Sequence, residues 1–217
     1  MSSDLLTRIT ESLVDGDPDL TVAHTRAALA AGIEPMAIID QALVPGMRIV
    51  GEKFSCGEYF PPNLIVSASG MKQAMQALEP ELGRRQQKLK SAGTVVIGTV
   101  KGDIHEIGKT LVGTMLAANG FEVHDLGVDV PTEKFVATVR DTGATLVGLS
   151  ALLTTTMNVQ RKVIEALSAA GLRERVKVMV GGAPVSRKWA DEIGADGYAE
   201  DAVGAVEMAA QLVGARA

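Results

Sequence analysis

Two residues of a single loop, Asp103 and His105, have the residue types and the spacing to hold a metal ion. One ring nitrogen of a histidine can bind a metal while the other donates its proton to a carboxylate, which fixes the tautomer and raises the basicity of the ring. One histidine and one aspartate do not complete a zinc or iron site, because such sites take three or four protein ligands. The remaining ligands of a metal bound here would have to come from a macrocycle.

These two residues lie where a buried strand should give way to a helix. The apolar run 94–100 predicts the strand, and a helical pattern begins near Lys109. In an open α/β sheet, ligands bind outside the carboxyl ends of the strands. The loop therefore stands at the edge where such a sheet binds its ligands.

The second half of the chain alternates between strand-like and helical patterns. Apolar strand-like runs appear at 94–100, 121–126, 145–150 and 176–181, with a weaker one near 196–199. This alternation predicts an α/β fold, in which helices cover both faces of a parallel sheet. Five strands favour the flavodoxin-like order 2-1-3-4-5, in which the first and third strands flank the ligand position, so His105 and Ser150 should lie close together.

The first half reads as helices. The expected features are an amphipathic helix over 4–14, a second helix capped by Asp17 and ended by Gly32, a third opened by Pro35 and kinked or broken at Pro45-Gly46, and a fourth that starts at Pro61-Pro62 and runs towards Glu79. Four helices with short links predict a small antiparallel bundle. The polar stretch 81–93 is expected to be the end of the last helix and a linker.

The loop is the first of three motifs, each at the end of a predicted strand. They read Asp-x-His-x-x-Gly, Ser-x-Leu and Gly-Gly, at Asp103, His105, Gly108, Ser150, Leu152, Gly181 and Gly182. The ordered set resembles the fingerprint of cobalamin-binding domains that take the cofactor base-off, with a histidine on cobalt. The resemblance implies that cobalamin is the cofactor, that His105 is the metal ligand and that Asp103 is its carboxylate partner.

The first half carries a second resemblance, to the helical cap that precedes this domain in methionine synthase and in small corrinoid methyl-carrier proteins. The matching stretches are Pro45-Gly46-Met47, Gly51-Glu52, Phe60-Pro61-Pro62 and Met71-Lys72-Gln73-Ala74. The resemblance implies that Phe54 lies over the upper face of the corrin, although Pro61 replaces a leucine of that cap. We therefore expect a helical cap over 1–90 and a cobalamin-binding, Rossmann-like domain over 91–217.

The hydroxyl-rich loop after the third predicted strand has two interpretations. Thr155 or Thr156 could cap the helix that follows. The resemblance instead implies that Ser150 and Thr154 contact the displaced nucleotide tail of cobalamin, and that the Thr156 hydroxyl bonds Asp103, where methionine synthase usually has a serine.

Two further motifs also have competing interpretations. Gly181-Gly182 is explained by a tight turn after a strand and, compatibly, by the close approach of a flat ring system. The stretch from Asp103 to Thr110 nearly matches a phosphate-binding P-loop, but an aspartate replaces the first glycine, and its charge would repel phosphate. A nucleotide hydrolase is therefore not favoured.

Composition argues against several classes of protein. A chain of 217 residues can hold one large domain or two modest ones, and its 47% of apolar residues can build their cores. No apolar run approaches the ~18 residues of a membrane span. A net charge of −5 without a basic stripe, and 3% aromatic residues, do not favour binding to nucleic acid. The single Cys56 excludes an internal disulfide and, with no signal pattern at the N-terminus, favours a cytoplasmic location.

The resemblance implies a corrinoid protein that carries a methyl group on cobalt from a substrate-specific methyltransferase to an acceptor methyltransferase, with a reductive activator as a further partner. No substrate barrel remains after the two domains, so we expect a carrier subunit that is not catalytic alone. A cobalamin-dependent sensor stays open as the alternative, although no DNA-binding or signalling segment is visible. The small subunit of an adenosylcobalamin mutase fits less well, because such subunits lack the helical cap.

Overall fold

The chain forms two compact units, Met1–Lys90 and Ser91–Ala217. The computed structural model describes residues 2–85 and 91–214. None of the helices in these ranges is long and apolar enough to cross a membrane.

The regular elements of the first unit, within its described residues, are all helices joined by short turns. Its elements are α1 (Ser2–Val14), α2 (Pro18–Ala30), α3 (Pro35–Ile38), a π-helical turn (Ile39–Leu43), α4 (Val44–Ser55) and α5 (Pro61–Arg84). Asp17 caps α2, as predicted, by accepting the N–H of Leu20 at 2.9 Å. Because α3, the π turn and α4 follow one another without a gap, the described part of this unit has the four helical segments that the sequence predicts.

The interruption predicted at Pro45 takes the form of the π turn. Proline lacks an N–H, and in an α-helix its ring clashes with the carbonyl four residues earlier. Just before Pro45, the N–H of Val44 bonds to the carbonyl of Ile39, five residues earlier instead of four. The wider turn lets the helix continue past the proline, so of the predicted kink or break the break is absent.

The helix predicted to run towards Glu79 continues through Pro80 to Arg84. A proline inside a helix removes one hydrogen bond and costs stability. Leu78 and Leu82, on either side of it, are buried in the helical unit. Their packing outweighs the local preference. The stretch 81–93 therefore begins as the end of the last helix, as predicted, and residues 86–90 of it lie outside the described residues.

The second unit is built on a five-stranded sheet. Its strands are β1 (Gly93–Thr99), β2 (Phe121–Asp125), β3 (Leu146–Ser150), β4 (Lys177–Gly181) and β5 (Gly197–Tyr198). Its helices are α6 (Ile107–Ala118), α7 (Thr132–Thr142), α8 (Met157–Ala169), α9 (Arg187–Ile193) and α10 (Ala202–Val213). The strands are parallel and lie in the order β2-β1-β3-β4-β5. The predicted Rossmann-like class and strand order are confirmed.

Helices cover both faces of this sheet because neighbouring residues of a strand point to opposite faces. On one face, Val96 belongs to the core that includes Phe135 of α7 and Val163 of α8. On the other face, Val95 packs in the core that includes Leu116 of α6, together with residues of α10. Two buried layers hold the strands rigidly and fix where their carboxyl ends lie.

The carboxyl ends of β1, β3 and β4 meet at one edge of the sheet. Thr99 pairs in register with Ser150, and Ser150 pairs with Gly181. The loops that carry the three motifs leave from these ends, so the topology brings together residues that are far apart in the sequence.

Candidate functional site

The loop between β1 and α6 buries Asp103 and presents His105. Gly102 has a φ of 86°, a conformation that favours glycine, and turns the chain inward. Asp103 is completely buried, whereas the side chain of His105 is 47% exposed. The loop therefore places a carboxylate inside the protein and an imidazole at its surface.

The Asp103 carboxylate joins two loops. Its Oδ1 lies 2.7 Å from Nδ1 of His105 and accepts the N–H of the same residue at 3.1 Å. Its Oδ2 accepts the N–H of Leu152 at 2.7 Å and that of Leu153 at 3.3 Å. The Thr156 hydroxyl lies 2.8 Å from the same Oδ2. One oxygen thus serves the histidine loop, and the other serves the loop between β3 and α8.

Thr156 stands at the N-cap position of α8 without capping that helix through its side chain. Its hydroxyl oxygen lies 2.8 Å from Asp103 Oδ2 and 2.9 Å from the carbonyl oxygen of Leu153. An ionised carboxylate is the stronger acceptor for the single hydroxyl proton. Of the two interpretations of this loop, capping by Thr156 is wrong, and the contact with Asp103 is present.

Asp103 is ionised at neutral pH. Burial raises the pKa of this carboxyl group, but hydrogen bonds from His105, Leu152 and Thr156 outweigh the burial and hold the pKa well below its usual range. A carboxylate can only accept hydrogen bonds, so the contact with His105 places a proton on Nδ1. In a neutral ring the lone pair is then on Nε2, which bonds to no described residue.

Exposed aliphatic side chains flank His105. Ile104 and Ile107 are 74% and 84% exposed, and Leu152 and Leu153 are also exposed. A cluster of exposed apolar side chains indicates a binding surface. No group of three or more His, Cys, Asp or Glu among the described residues could hold a metal ion. One oriented imidazole within an aliphatic surface fits a flat macrocycle that brings its own metal and ring nitrogens.

Ser150 and Thr154 lie at the same edge of the sheet. Ser150 is the last residue of β3, and Thr154 is exposed in the loop that follows. Neither hydroxyl makes a hydrogen bond to a described residue. Both hydroxyls are therefore available to a ligand.

The glycines of the motifs differ in whether the backbone and its neighbours require glycine at that position. A Cβ on Gly182, whose φ is 124°, would overlap the carbonyl oxygen of Ala151, and a Cβ on Gly181 would lie 3.2 Å from the carbonyl oxygen of Ala199. Gly108, in contrast, has no positive φ, and a Cβ there would meet nothing within 4 Å. The fold itself requires glycine at 182, whereas no contact with the described residues requires glycine at 108.

Two contacts of this region were not predicted from the sequence. The hydroxyl of Thr99 donates to the carbonyl oxygen of His105 at 2.8 Å, and its only signal was its place at the end of the first strand. The Lys109 side chain is 3% exposed and forms an ion pair with Asp125 at the end of β2. A P-loop lysine has to reach a phosphate, so its engagement with a carboxylate gives no support to a nucleotide site.

Phe54 lies in the other unit, in the last turn of α4, and is half-buried there. Its carbonyl accepts the N–H of Gly57 at 3.0 Å. The hydroxyl of Tyr59 donates to the carbonyl oxygen of Val14 at 2.9 Å and anchors the corner after α4. A contact between Phe54 and the corrin stays a prediction of the resemblance.

Known families match both units. The B12 binding domain family matches residues 93–207, and a second family of the same description matches residues 5–79. The first match alone spans more than half of the chain. These matches identify the cofactor as cobalamin or a related corrinoid.

Named relatives and a solved structure agree with the family matches. The trimethylamine corrinoid protein of Methanosarcina barkeri is 46% identical over 203 residues, which are 94% of each chain. The dimethylamine corrinoid protein 2 of Methanosarcina acetivorans is 46% identical over 212 residues, 97% of this chain and 96% of that protein. A chain in the crystal structure of the methanol:cobalamin methyltransferase complex of Methanosarcina barkeri matches with a TM-score of 0.84 and 32% identity, over 98% of this chain and 81% of that one. The predicted resemblance is confirmed, and the chain belongs to the B12-binding corrinoid proteins of methyltransferase systems.

Proposed function

We propose that this chain is a methyl carrier that holds its corrinoid with the nucleotide base displaced and His105 as the lower ligand of cobalt. The observation that carries the proposal is the pair of His105 and the buried, ionised Asp103, which leaves Nε2 free at an exposed aliphatic surface. The relatives' names support methyl carriage, because they pair corrinoid proteins with trimethylamine and dimethylamine, and a cobalamin methyltransferase with methanol.

The bound corrinoid supplies a cobalt centre that can accept and give up a methyl group. His105 would hold that centre through Nε2, and Asp103 keeps the proton on Nδ1, so the ring presents its lone pair in one orientation. Thr156 and the Leu152 amide fix the carboxylate from behind. Because the ring is exposed and Asp103 is buried, the ring could move while Asp103 stays out of water.

The displaced nucleotide tail is proposed to lie beside Ser150 and Thr154, whose hydroxyls have no partner among the described residues. Gly108 leaves the space that a flat ring needs near His105. Gly181 and Gly182 belong to the same proposal, although the packing of the backbone already accounts for them. The contact of Phe54 with the upper corrin face rests on the family resemblance.

The proposed partners are a substrate-specific methyltransferase, an acceptor methyltransferase and a reductive activator. The donor class is a small methylated amine or alcohol, because the relatives' names include methylamines and methanol. We expect the chain to be inactive alone, because the loop that carries Asp103 and His105 would be occupied in binding the cofactor.

Ligation by His105 can be tested by electron paramagnetic resonance of the Co(II) form. The nitrogen splitting should follow an isotopic label in the protein's histidines and should be lost in His105→Ala. His124→Ala is the matched control, because His124 lies on β2 of the same unit, outside the motifs, and should keep the splitting. A splitting that follows a label in the cofactor's own base would overturn the assignment.

Methyl carriage requires a separate experiment. With a cognate methyltransferase, a reductant and an isotopically labelled methyl donor, the label should bind to the protein in proportion to its corrinoid. The protein alone should not demethylate any methylated amine, alcohol or ether. A light-driven change in the oligomeric state of the adenosylcobalamin form, without methyl acceptance from any partner, would favour a sensor instead.

A further inference from the structure

We propose that Asp129, which lies outside every motif, is a positioning residue for the loop that carries His105, a role that rests on the proposed ligation of cobalt. Asp129 lies between β2 and α7 and has a φ of 53°. It is the only non-glycine residue with a positive φ in residues 2–85 and 91–214. A residue other than glycine is held in this region only where its surroundings fix it.

Asp129 is fixed by three contacts with the segment that precedes His105. Its N–H donates to the carbonyl oxygen of Asp103 at 2.8 Å. Its Oδ1 accepts the N–H of Gly102 at 2.8 Å, and its Oδ2 lies 2.9 Å from Nζ of Lys101. Three consecutive residues of the histidine loop are therefore bound by one residue of the neighbouring loop.

Two of these contacts determine the direction in which the chain enters His105. The Gly102 amide belongs to the turn in which φ is 86°. Because glycine has no side chain, its backbone could adopt many other conformations if nothing held it. The carbonyl of Asp103 belongs to the peptide group that leads towards His105. Holding both groups fixes the backbone on either side of Asp103, so the carboxylate is presented to the imidazole in a constant geometry.

The third contact should matter least. The side chains of Lys101 and Asp129 are 57% and 45% exposed, and ion pairs at such exposed positions contribute little to stability. The positioning role therefore rests on the hydrogen bond accepted by Oδ1 and on the backbone conformation of Asp129, and it should survive the loss of the charge.

Three variants separate these contributions. Asp129→Asn keeps an acceptor oxygen and tolerates a positive φ, but it loses the charge. Asp129→Gly keeps the freedom of φ and loses the acceptor. Lys101→Ala removes only the ion pair. Asp141→Ala is the matched control, because Asp141 is an exposed residue near the end of α7 with no partner among the described residues.

Two measurements test the proposal. In the protein without cofactor, hydrogen exchange at the Gly102 amide should become about fivefold faster in Asp129→Gly, as expected for the loss of one hydrogen bond. In the Co(II) form, the same variant should give a mixture of spectra with and without histidine splitting. The Asn, Lys101 and Asp141 variants should resemble the parent protein in both measurements.

The outcomes distinguish this proposal from the proposed ligation. If the parent protein itself lacks histidine splitting, ligation by His105 is wrong, while exchange at Gly102 still tests Asp129. Parent-like exchange and parent-like splitting in Asp129→Gly would overturn the positioning role. If Asp129→Asn changed exchange and splitting as much as Asp129→Gly does, the positioning role would also be overturned. That result would mean that the charge of Asp129 matters and that its acceptor oxygen does not.

Discussion

Replacing Gly108 with alanine should stabilise the protein without cofactor and weaken its binding of cobalamin. Gly108 lies in the first turn of α6, has no positive φ and leaves open space where a Cβ would stand. In a helix, alanine loses less backbone entropy than glycine on folding. Opposite effects on stability and on binding are the signature of a glycine kept for a ligand and not for the fold.

The two effects have different sizes. The free energy of unfolding should rise by at most about 0.5–1 kcal/mol, because this difference between alanine and glycine applies to helix interiors and Gly108 lies in the first turn. The added methyl group should cost about 1–3 kcal/mol of binding free energy, the usual cost of an extra methyl group in a close-packed contact. That cost corresponds to a dissociation constant about 5- to 150-fold larger.

A second glycine of the same helix gives the control. A Cβ on Gly113 would lie 3.8 Å from Val123 and 3.9 Å from Ile97, in ordinary contact with the sheet. Gly113→Ala should therefore stabilise α6 by about 0.5–1 kcal/mol, the usual difference in a helix interior, and leave binding unchanged. Denaturant unfolding of the cofactor-free proteins and spectrophotometric titration with base-off corrinoid measure the two quantities. If Gly108→Ala binds as tightly as Gly113→Ala, or is less stable than the parent, the ligand-clearance argument is wrong.

Two other substitutions should act on the fold at the same edge of the sheet. Gly182→Ala should destabilise the cofactor-free protein by about 3 kcal/mol or more, because the new Cβ would overlap the carbonyl of Ala151 and φ is 124°; a denaturation midpoint equal to the parent's would contradict this. Thr156→Val should cost about 1–3 kcal/mol by leaving buried Asp103 short of a donor, whereas Thr156→Ser keeps the donor and should cost less. Denaturant unfolding of both Thr156 variants is the check, and equal losses in the two would show that the hydroxyl contributes nothing.

The sheet was predictable from the sequence because its central strands, β1, β3 and β4, are nearly continuous apolar runs. The predicted strand over 94–100 corresponds to β1 at Gly93–Thr99. The strand order was predicted from the alternation of strands and helices. The pairing of Asp103 with His105 was predictable for a different reason, since the two residues are neighbours in one loop. Features of this kind depend on local pattern, and local pattern is what a single sequence displays.

Other features depend on contacts between distant segments. The helix continues through Pro80 because the leucines on both sides of it are buried, and the local sequence does not show that burial. The contact of Thr99 with the His105 carbonyl requires the loop to fold back over the strand end. Asp129 reaches Gly102 from a loop 27 positions away, with no periodicity or motif to indicate it. Such contacts become visible only when the loops are placed in space.

The two oxygens of the Asp103 carboxylate contact different loops and so link the two halves of the site. Oδ1 holds His105, while Oδ2 is held by the Leu152 amide and the Thr156 hydroxyl, so a shift of the loop after β3 must change the position of the histidine. Because an amide belongs to the backbone, Thr156 is the donor on Oδ2 that substitution can adjust. Its methyl group stands beside Gly102, where an added Cβ would lie 3.6 Å from it. Threonine therefore does two things where serine would do one: it donates to the carboxylate and fills the space beside the turn that presents that carboxylate.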